Sequence, residues 1–201
     1  MSKILTPTPT PLIETSELTK QFGTIQALNG LNLRITPGEI YGLLGPNGAG
    51  KTTTIKIING LTEPTSGWVK VTGFDPIKNP IEAKSRIGYI AENPILYESL
   101  SPRDFFEFVA SVRKIDQNMA NQMVTRLADA FDMAQYFDSP IATLSMGMKQ
   151  KVAVIASLFH QPPVLLLDEP LNGLDAKSSR IVKDLVSLHT KRGGAVLFST
   201  H

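Results

Sequence analysis

Residues 45 to 53 read Gly-Pro-Asn-Gly-Ala-Gly-Lys-Thr-Thr, three glycines, a lysine and two hydroxyls within one short run. These residue types suit the binding of a phosphate chain. Glycines let the backbone curl until several N–H groups point into one concavity. A helix that opens at the lysine adds the positive end of its dipole to the same spot. The run fits G-x-x-x-x-G-K-[ST], in which the lysine, here Lys51, reaches the β- and γ-phosphates and the next hydroxyl, here Thr52, ligates Mg²⁺. A plainer reading is a glycine turn that merely starts a helix. Context favours the first, because residues 39–44 form a short apolar strand candidate and 52–59 a helix stopped by Gly60. Gly45, Pro46, Asn47, Gly48, Ala49, Gly50, Lys51, Thr52 and Thr53 are therefore candidate nucleotide ligands.

A second constellation lies far along the chain. Val164, Leu165, Leu166 and Leu167 run into Asp168-Glu169-Pro170. Four apolar residues in a row suit a parallel strand buried on both faces. Ligands of such sheets bind beyond the carboxyl ends of the strands, where Asp168, Glu169 and His201 all fall. An aspartate there is suited to hold the nucleotide's Mg²⁺, and Glu169 to polarise an attacking water as general base. The plainer alternative is an Asp-Glu-Pro turn that only ends a strand.

The elements that must position these groups are readable in outline. Thr and Pro alternate from Thr6 to Pro11, so residues 1–11 are expected to be an extended leader. Strands are expected over 12–18, 27–35, 39–44, 68–71 and 86–91, with Gly, Pro and Asn turns between them. After Pro94 the texture turns helical. Ser101-Pro102-Arg103-Asp104 is a helix start, with a serine N-cap, proline at the first position and an acid in the first turn. Further helices are expected over 117–131, 145–159 and 176–189, and strands over 164–167 and 195–199. On the first of these helices Phe105 and Phe108 fit a buried stripe, whereas Phe106 falls off it, which leaves it either exposed or packed in the core.

With the glycine-rich run and the strand carboxylates in place, the sequence from residue 12 to His201 resembles the ATP-binding-cassette (ABC) ATPases. Leu144-Ser145-Met146-Gly147-Met148-Lys149-Gln150 resembles the family signature, and Asn172-Gly173-Leu174-Asp175 its D-loop. His201 matches the switch histidine, Glu92 stands in the Q-loop, and Phe22 matches the aromatic that stacks on adenine. No guanine-reading Asn-Lys-x-Asp motif is present.

The resemblance implies an α/β P-loop NTPase fold. It comprises a RecA-like core with a parallel sheet, an N-terminal antiparallel β subdomain, and an α-helical subdomain inserted at 94–150 of a domain spanning 12–201. It implies ATP and Mg²⁺ as ligands, with Thr52, Glu92 and Asp168 at the metal and Glu169, His201 and Lys51 in catalysis. Two cassettes, as a homo- or heterodimer, would face head to tail, with Ser145 and Gly147 contacting nucleotide across the interface, and Asp175 of the D-loop is a further candidate nucleotide contact. Each of these has a local reading too: Ser145 and Asp175 are good N-caps, and Gly147 is acceptable at a helix start.

Two positions depart from the pattern. Glu92 replaces a glutamine and Met146 a glycine. The chain also stops at His201, where family domains continue, so a C-terminally truncated cassette is expected. The implied role is the ATPase subunit of a membrane transporter, held on the cytoplasmic face of the membrane by a separate permease. The text from Gly73-Phe74-Asp75-Pro76 to Glu92 is most similar to exporter cassettes. A soluble cassette acting on ribosomes or DNA is the alternative; those usually carry two cassettes or a long coiled-coil insertion, and this chain has one P-loop.

Bulk properties set bounds. At 201 residues with a net charge of +2, the chain is large enough for a real core and too evenly charged to argue for nucleic acid or anionic lipid. With no cysteine it has neither disulfides nor thiolate metal sites. No apolar run approaches the roughly 20 residues that span a bilayer, and the N-terminus lacks the layout of a signal peptide.

Overall fold

The structure is a computed structural model that describes residues 9–200. Most of the leader expected over 1–11, and His201, lie outside the described residues.

Two sheets form the frame. Strand β1 (Ile13–Phe22) pairs antiparallel with β2 (Ile25–Ile35) on one side and with β4 (Ser66–Val71) on the other. The second sheet is parallel, in the order β3 (Ile40–Leu44), β7 (Ala195–Thr200), β6 (Val164–Asp168), β5 (Ile87–Ile90). Every residue of β6 is buried. Its side chains alternate between two cores: Val164 and Leu166 face one, Leu165 and Leu167 the other. A strand covered on both faces has no polar side to show, which is why its sequence is a continuous apolar run.

Helix α1 (Lys51–Ile58) fills the first core with Ile55, Ile57 and Ile58. That core also takes Ile13 and Ile35 of the antiparallel sheet, so α1 is held between the two sheets. The second core lies on the other face of the parallel sheet. It is built by α3 (Pro102–Val112), α4 (Gln117–Ala130), α5 (Met146–Leu158) and α6 (Ala176–Lys191). Helix α3 starts where its sequence says. Ser101 Oγ accepts from Asp104 N at 3.2 Å, and the Asp104 carboxylate accepts from Ser101 N at 3.3 Å, a reciprocal cap.

Three differences from the sequence expectation have physical causes. β1 continues past residue 18 to Phe22, and β2 begins at Ile25. The pairing slips between Thr15 and Gln21, with Glu17 in the left-handed region at φ 47°, so the alternation that marks a strand is broken although the ladder goes on. A short helix, α2 (Pro80–Ser85), precedes β5 with proline in its first turn. On α3 the stripe does not hold at Phe108. Phe106 is 3% exposed and Phe108 is 44% exposed. Phe106 packs against Phe137 and Phe159, with ring centroids 5.7 and 6.2 Å away, because a second layer of chain covers that side of the helix. Phe108 instead lies edge-on to Tyr97 at the surface, 5.4 Å between centroids.

Candidate functional site

The β1–β2 hairpin turns on Gly23-Thr24 and leaves Phe22 and Ile25 exposed at its tip, opposite one another. Behind them Ala27 of β2 lies against the glycine-rich loop. Gly50, which precedes α1, has φ 87°, and a Cβ on it would stand 2.5 Å from the Ala27 carbonyl oxygen. Glycine here serves both a left-handed backbone and a close approach of two chain segments. No side chain caps the N-terminus of α1, and its first turn holds no acid. That leaves a positive helix end aimed at the loop cavity, the arrangement that suits an anion. Lys51 folds over the loop, its Nζ donating to the carbonyls of Gly45 at 2.5 Å and Pro46 at 3.2 Å.

The carboxylates arrive from the parallel sheet. β7 lies between β3 and β6, so Asp168 reaches the loop from two strands away. Thr52 Oγ1 donates to Asp168 Oδ1 at 3.2 Å, and Ser199 Oγ of β7 donates to the same oxygen at 2.6 Å. The Ser199 hydroxyl in turn accepts from Glu169 N at 3.2 Å. One buried serine thus fixes both acidic residues, a hydroxyl sequence reasoning passed over because nothing in the sequence marks it off from other strand serines. Glu169 is buried, and its φ of 47° is unusual for a residue with a side chain. A bend held in that region sets the direction of the carboxylate that follows Asp168.

These parts surround one cavity of about 260 Å³. Phe22, Pro46, Asn47, Gly48, Ala49, Gly50, Lys51, Thr52, Thr53, Glu92, Asp168 and Glu169 line it, together with Ile25 and Ala27. The last two were not singled out from sequence; the hairpin register, Phe22 opposite Ile25, is the signal that could have found Ile25. Beside the site the Tyr89 phenol is pushed up to about 12, chiefly by burial and then by the charge of Asp168.

A threonine hydroxyl and an aspartate oxygen converge at the loop, with Glu92 across the cavity. All are oxygen donors, the set that suits Mg²⁺, which keeps waters and phosphate oxygens in most of its positions. Among the described residues no three His, Asp or Glu side chains form a closed metal cage. The residues present fit a cation that is shared with a bound phosphate chain.

Ser145, Gly147 and Asp175 are placed elsewhere, outside this cavity. Ser145 caps α5, accepting from Met148 N at 3.3 Å, and is exposed. Gly147 lets α5 approach the loop before α6, since a Cβ there would stand 2.7 Å from Gly173 O. Met146 points outward, 70% exposed. Asp175 caps α6, accepting from Ser178 N at 2.7 Å and Ser178 Oγ at 3.0 Å, with Lys151 Nζ at 3.2 Å. Its carboxyl is held at about 2, first by the Ser178 N–H, then by the Ser178 hydroxyl, with Lys151 adding to them. Within one chain the local capping roles of Ser145 and Asp175 are the ones displayed. His201 lies outside the described residues.

Comparison with known proteins agrees with this architecture. A family model described as "ABC transporter" matches residues 28–172. The chain is 37% identical over 190 residues to the probable multidrug ABC transporter ATP-binding protein YbhF of Escherichia coli (strain K12), covering 94% of this chain and 33% of that protein. It is 36% identical to the bacitracin transport ATP-binding protein BcrA of Bacillus licheniformis, covering 94% of this chain and 61% of BcrA. The chain therefore spans a third of one of these relatives and about three-fifths of the other. A solved structure described as the ATP binding subunit of an ABC transporter superimposes with a TM-score of 0.90 at 30% identity, covering 94% of this chain and 79% of that one. The fold is that of the P-loop NTPases. With the family model matched over most of its length and the same architecture in a solved ATP-binding subunit, the chain belongs to the ABC transporter ATP-binding family.

Proposed function

We propose that this chain binds ATP with Mg²⁺ in the 260 Å³ cavity, hydrolyses the nucleotide, and drives a membrane exporter as one of two facing cassettes. One observation carries the reading. An aromatic tip, a phosphate loop, a hydroxyl–carboxylate pair and a buried glutamate border the same small space. Phe22 and Ile25 give the base an apolar seat, and the loop N–H groups with Lys51 hold the phosphates. When bound, Mg²⁺ offsets the charge that builds between the β- and γ-phosphates. Glu169 orients the attacking water and takes its proton.

Ser145 and Gly147 lie at the start of α5 and outside the cavity, a placement that suits contact with a nucleotide presented by a second cassette. In that arrangement ATP holds the pair together and hydrolysis releases it. His201 is assigned to the γ-phosphate by the same family pattern. No helix among the described residues is long and apolar enough to cross a membrane, so membrane attachment is assigned to a separate permease on the cytoplasmic side. Export is the direction this reading takes, and the relatives' printed names, a multidrug ABC transporter and a bacitracin transport protein, support the transport role.

Titration calorimetry tests the core of this reading. ATP and ADP should both bind, one per chain, and Phe22→Ala should weaken each by roughly tenfold, in line with the ~1–3 kcal/mol that base–aromatic stacking contributes. Heats no larger than buffer dilution for both nucleotides would remove the proposal.

Glu92 adds a metal-dependent expectation. As a carboxylate it ligates Mg²⁺ more strongly than glutamine, and it repels the γ-phosphate when the metal is missing. Glu92→Gln should raise the half-saturating Mg²⁺ concentration for ATPase activity by roughly tenfold, as loss of a supporting ligand commonly does. It should also tighten binding of metal-free ATP. Superimposable Mg²⁺ curves would take Glu92 out of the metal site.

A further inference from the structure

The exposed aromatic tip of the β1–β2 hairpin carries a cation. Lys20 and Phe22 stand two residues apart on β1, and side chains alternate along a strand, so both project from one face. Lys20 Nζ lies over the Phe22 ring, 4.8 Å from its centroid. The root of that lysine is firmly placed. Thr65 N donates to Thr19 O at 2.8 Å, and Gln21 N donates to Thr65 Oγ1 at 3.0 Å, so the backbone on either side of Lys20 is tied to the chain that enters β4. Leu28, its partner across the hairpin, is buried. Among the described residues no carboxylate lies within 4.0 Å of the Lys20 ammonium. Its charge is spent on the ring. Phe22 borders the 260 Å³ cavity and Lys20 does not, so the ring stands between the cation and the cavity.

We infer that Lys20 is a positioning residue for the base of the nucleotide, backing the Phe22 ring on one face so that the other is ready to stack. The inference rests on the reading of Phe22 as the seat of the base. What it adds is the group that makes a half-exposed ring fit for that task. Two effects combine. Attraction between the ammonium and the ring holds Phe22 in one orientation before the base arrives, so less freedom is lost on binding. The cation also draws π-electron density towards its own side. The face left to the cavity is then less negative and repels the π cloud of a base less, which favours an offset stack. The loop and Lys51 are assigned to the phosphates, so Lys20 matters only to a ligand that carries a base.

The test compares ATP with inorganic tripolyphosphate, each with Mg²⁺, by calorimetry on the parent chain and its Lys20 variants. Lys20→Met keeps an unbranched apolar stem and removes the charge. It should weaken ATP about threefold, the scale of a cation–ring contact at a surface, and leave tripolyphosphate binding at the parent value. Lys20→Arg should bind ATP as the parent does, because a guanidinium also stacks on a ring. In steady-state hydrolysis Lys20→Met should raise KM by the same factor and leave kcat unchanged. On a Phe22→Ala background Lys20→Met should cost nothing further, since the two residues act as one unit. Unchanged ATP affinity in Lys20→Met, or equal weakening of ATP and tripolyphosphate, would overturn the inference while the nucleotide reading stands. Tighter ATP binding would overturn it too, by showing that the ammonium covers the face the base needs. A parent chain that takes up no ATP would remove the nucleotide reading itself.

Discussion

Glu169→Gln should lower the rate of ATP hydrolysis by about 100-fold or more, the scale of losing one group aimed at the reacting centre, while ATP affinity changes by no more than about twofold. Glutamine has the same shape, so it retains the left-handed backbone at φ 47° and the 3.2 Å bond from the backbone N–H to Ser199 Oγ. What it lacks is the capacity to take a proton. Binding therefore survives and turnover does not. With ATP and Mg²⁺ present the variant should run as a dimer on a sizing column, because on the proposed reading ATP holds two cassettes together and is no longer consumed. Phosphate release at the parent rate would remove Glu169 from the chemistry and leave Asp168 alone at the end of β6.

Gly50→Ala is expected to raise the Kd for ATP by more than about 100-fold, while Gly48→Ala raises it only several-fold; left-handed backbone alone costs roughly 1–3 kcal/mol, and the first variant adds a collision to it. The contrast isolates the close approach. Both glycines are left-handed, at φ 87° and 83°, but a methyl group at 48 meets nothing within 4 Å. At 50 it would stand 2.5 Å from Ala27 O and 2.8 Å from Leu28 Cδ2. Backbone and a buried core leucine cannot step aside without moving β2 away from the loop. Calorimetry reads the affinities, and thermal melting separates misplacement of the loop from loss of fold. Equal effects of the two substitutions would mean that conformation alone, and not the contact with β2, sets the loop.

The phosphate loop was legible because its chemistry is contiguous: a run of nine residues carries the turn, the cation and the metal hydroxyl. The apolar run into Asp168 was legible for a different reason, since burial on both faces of β6 removes every polar residue from it. The rest of the cavity depends on register and strand order, which composition does not encode. Ile25 enters through a hairpin whose strands outrun their alternation, and Ala27 through the contact at Gly50. Ser199 enters because β7 is threaded between β3 and β6, a neighbour relation unrelated to distance along the chain. Phe106 shows the same limit on α3. A single helical stripe describes one packing surface, and this helix has two, the second supplied by Phe137 and Phe159.

The contact of Gly50 with Ala27 has one more consequence. The hairpin and the loop meet so closely at Gly50 that no side chain fits between them, so the aromatic tip and the phosphate loop are packed directly against one another. On the proposed reading a fresh and a spent nucleotide differ at the far end of the cavity, which Lys51, Glu92 and Glu169 border.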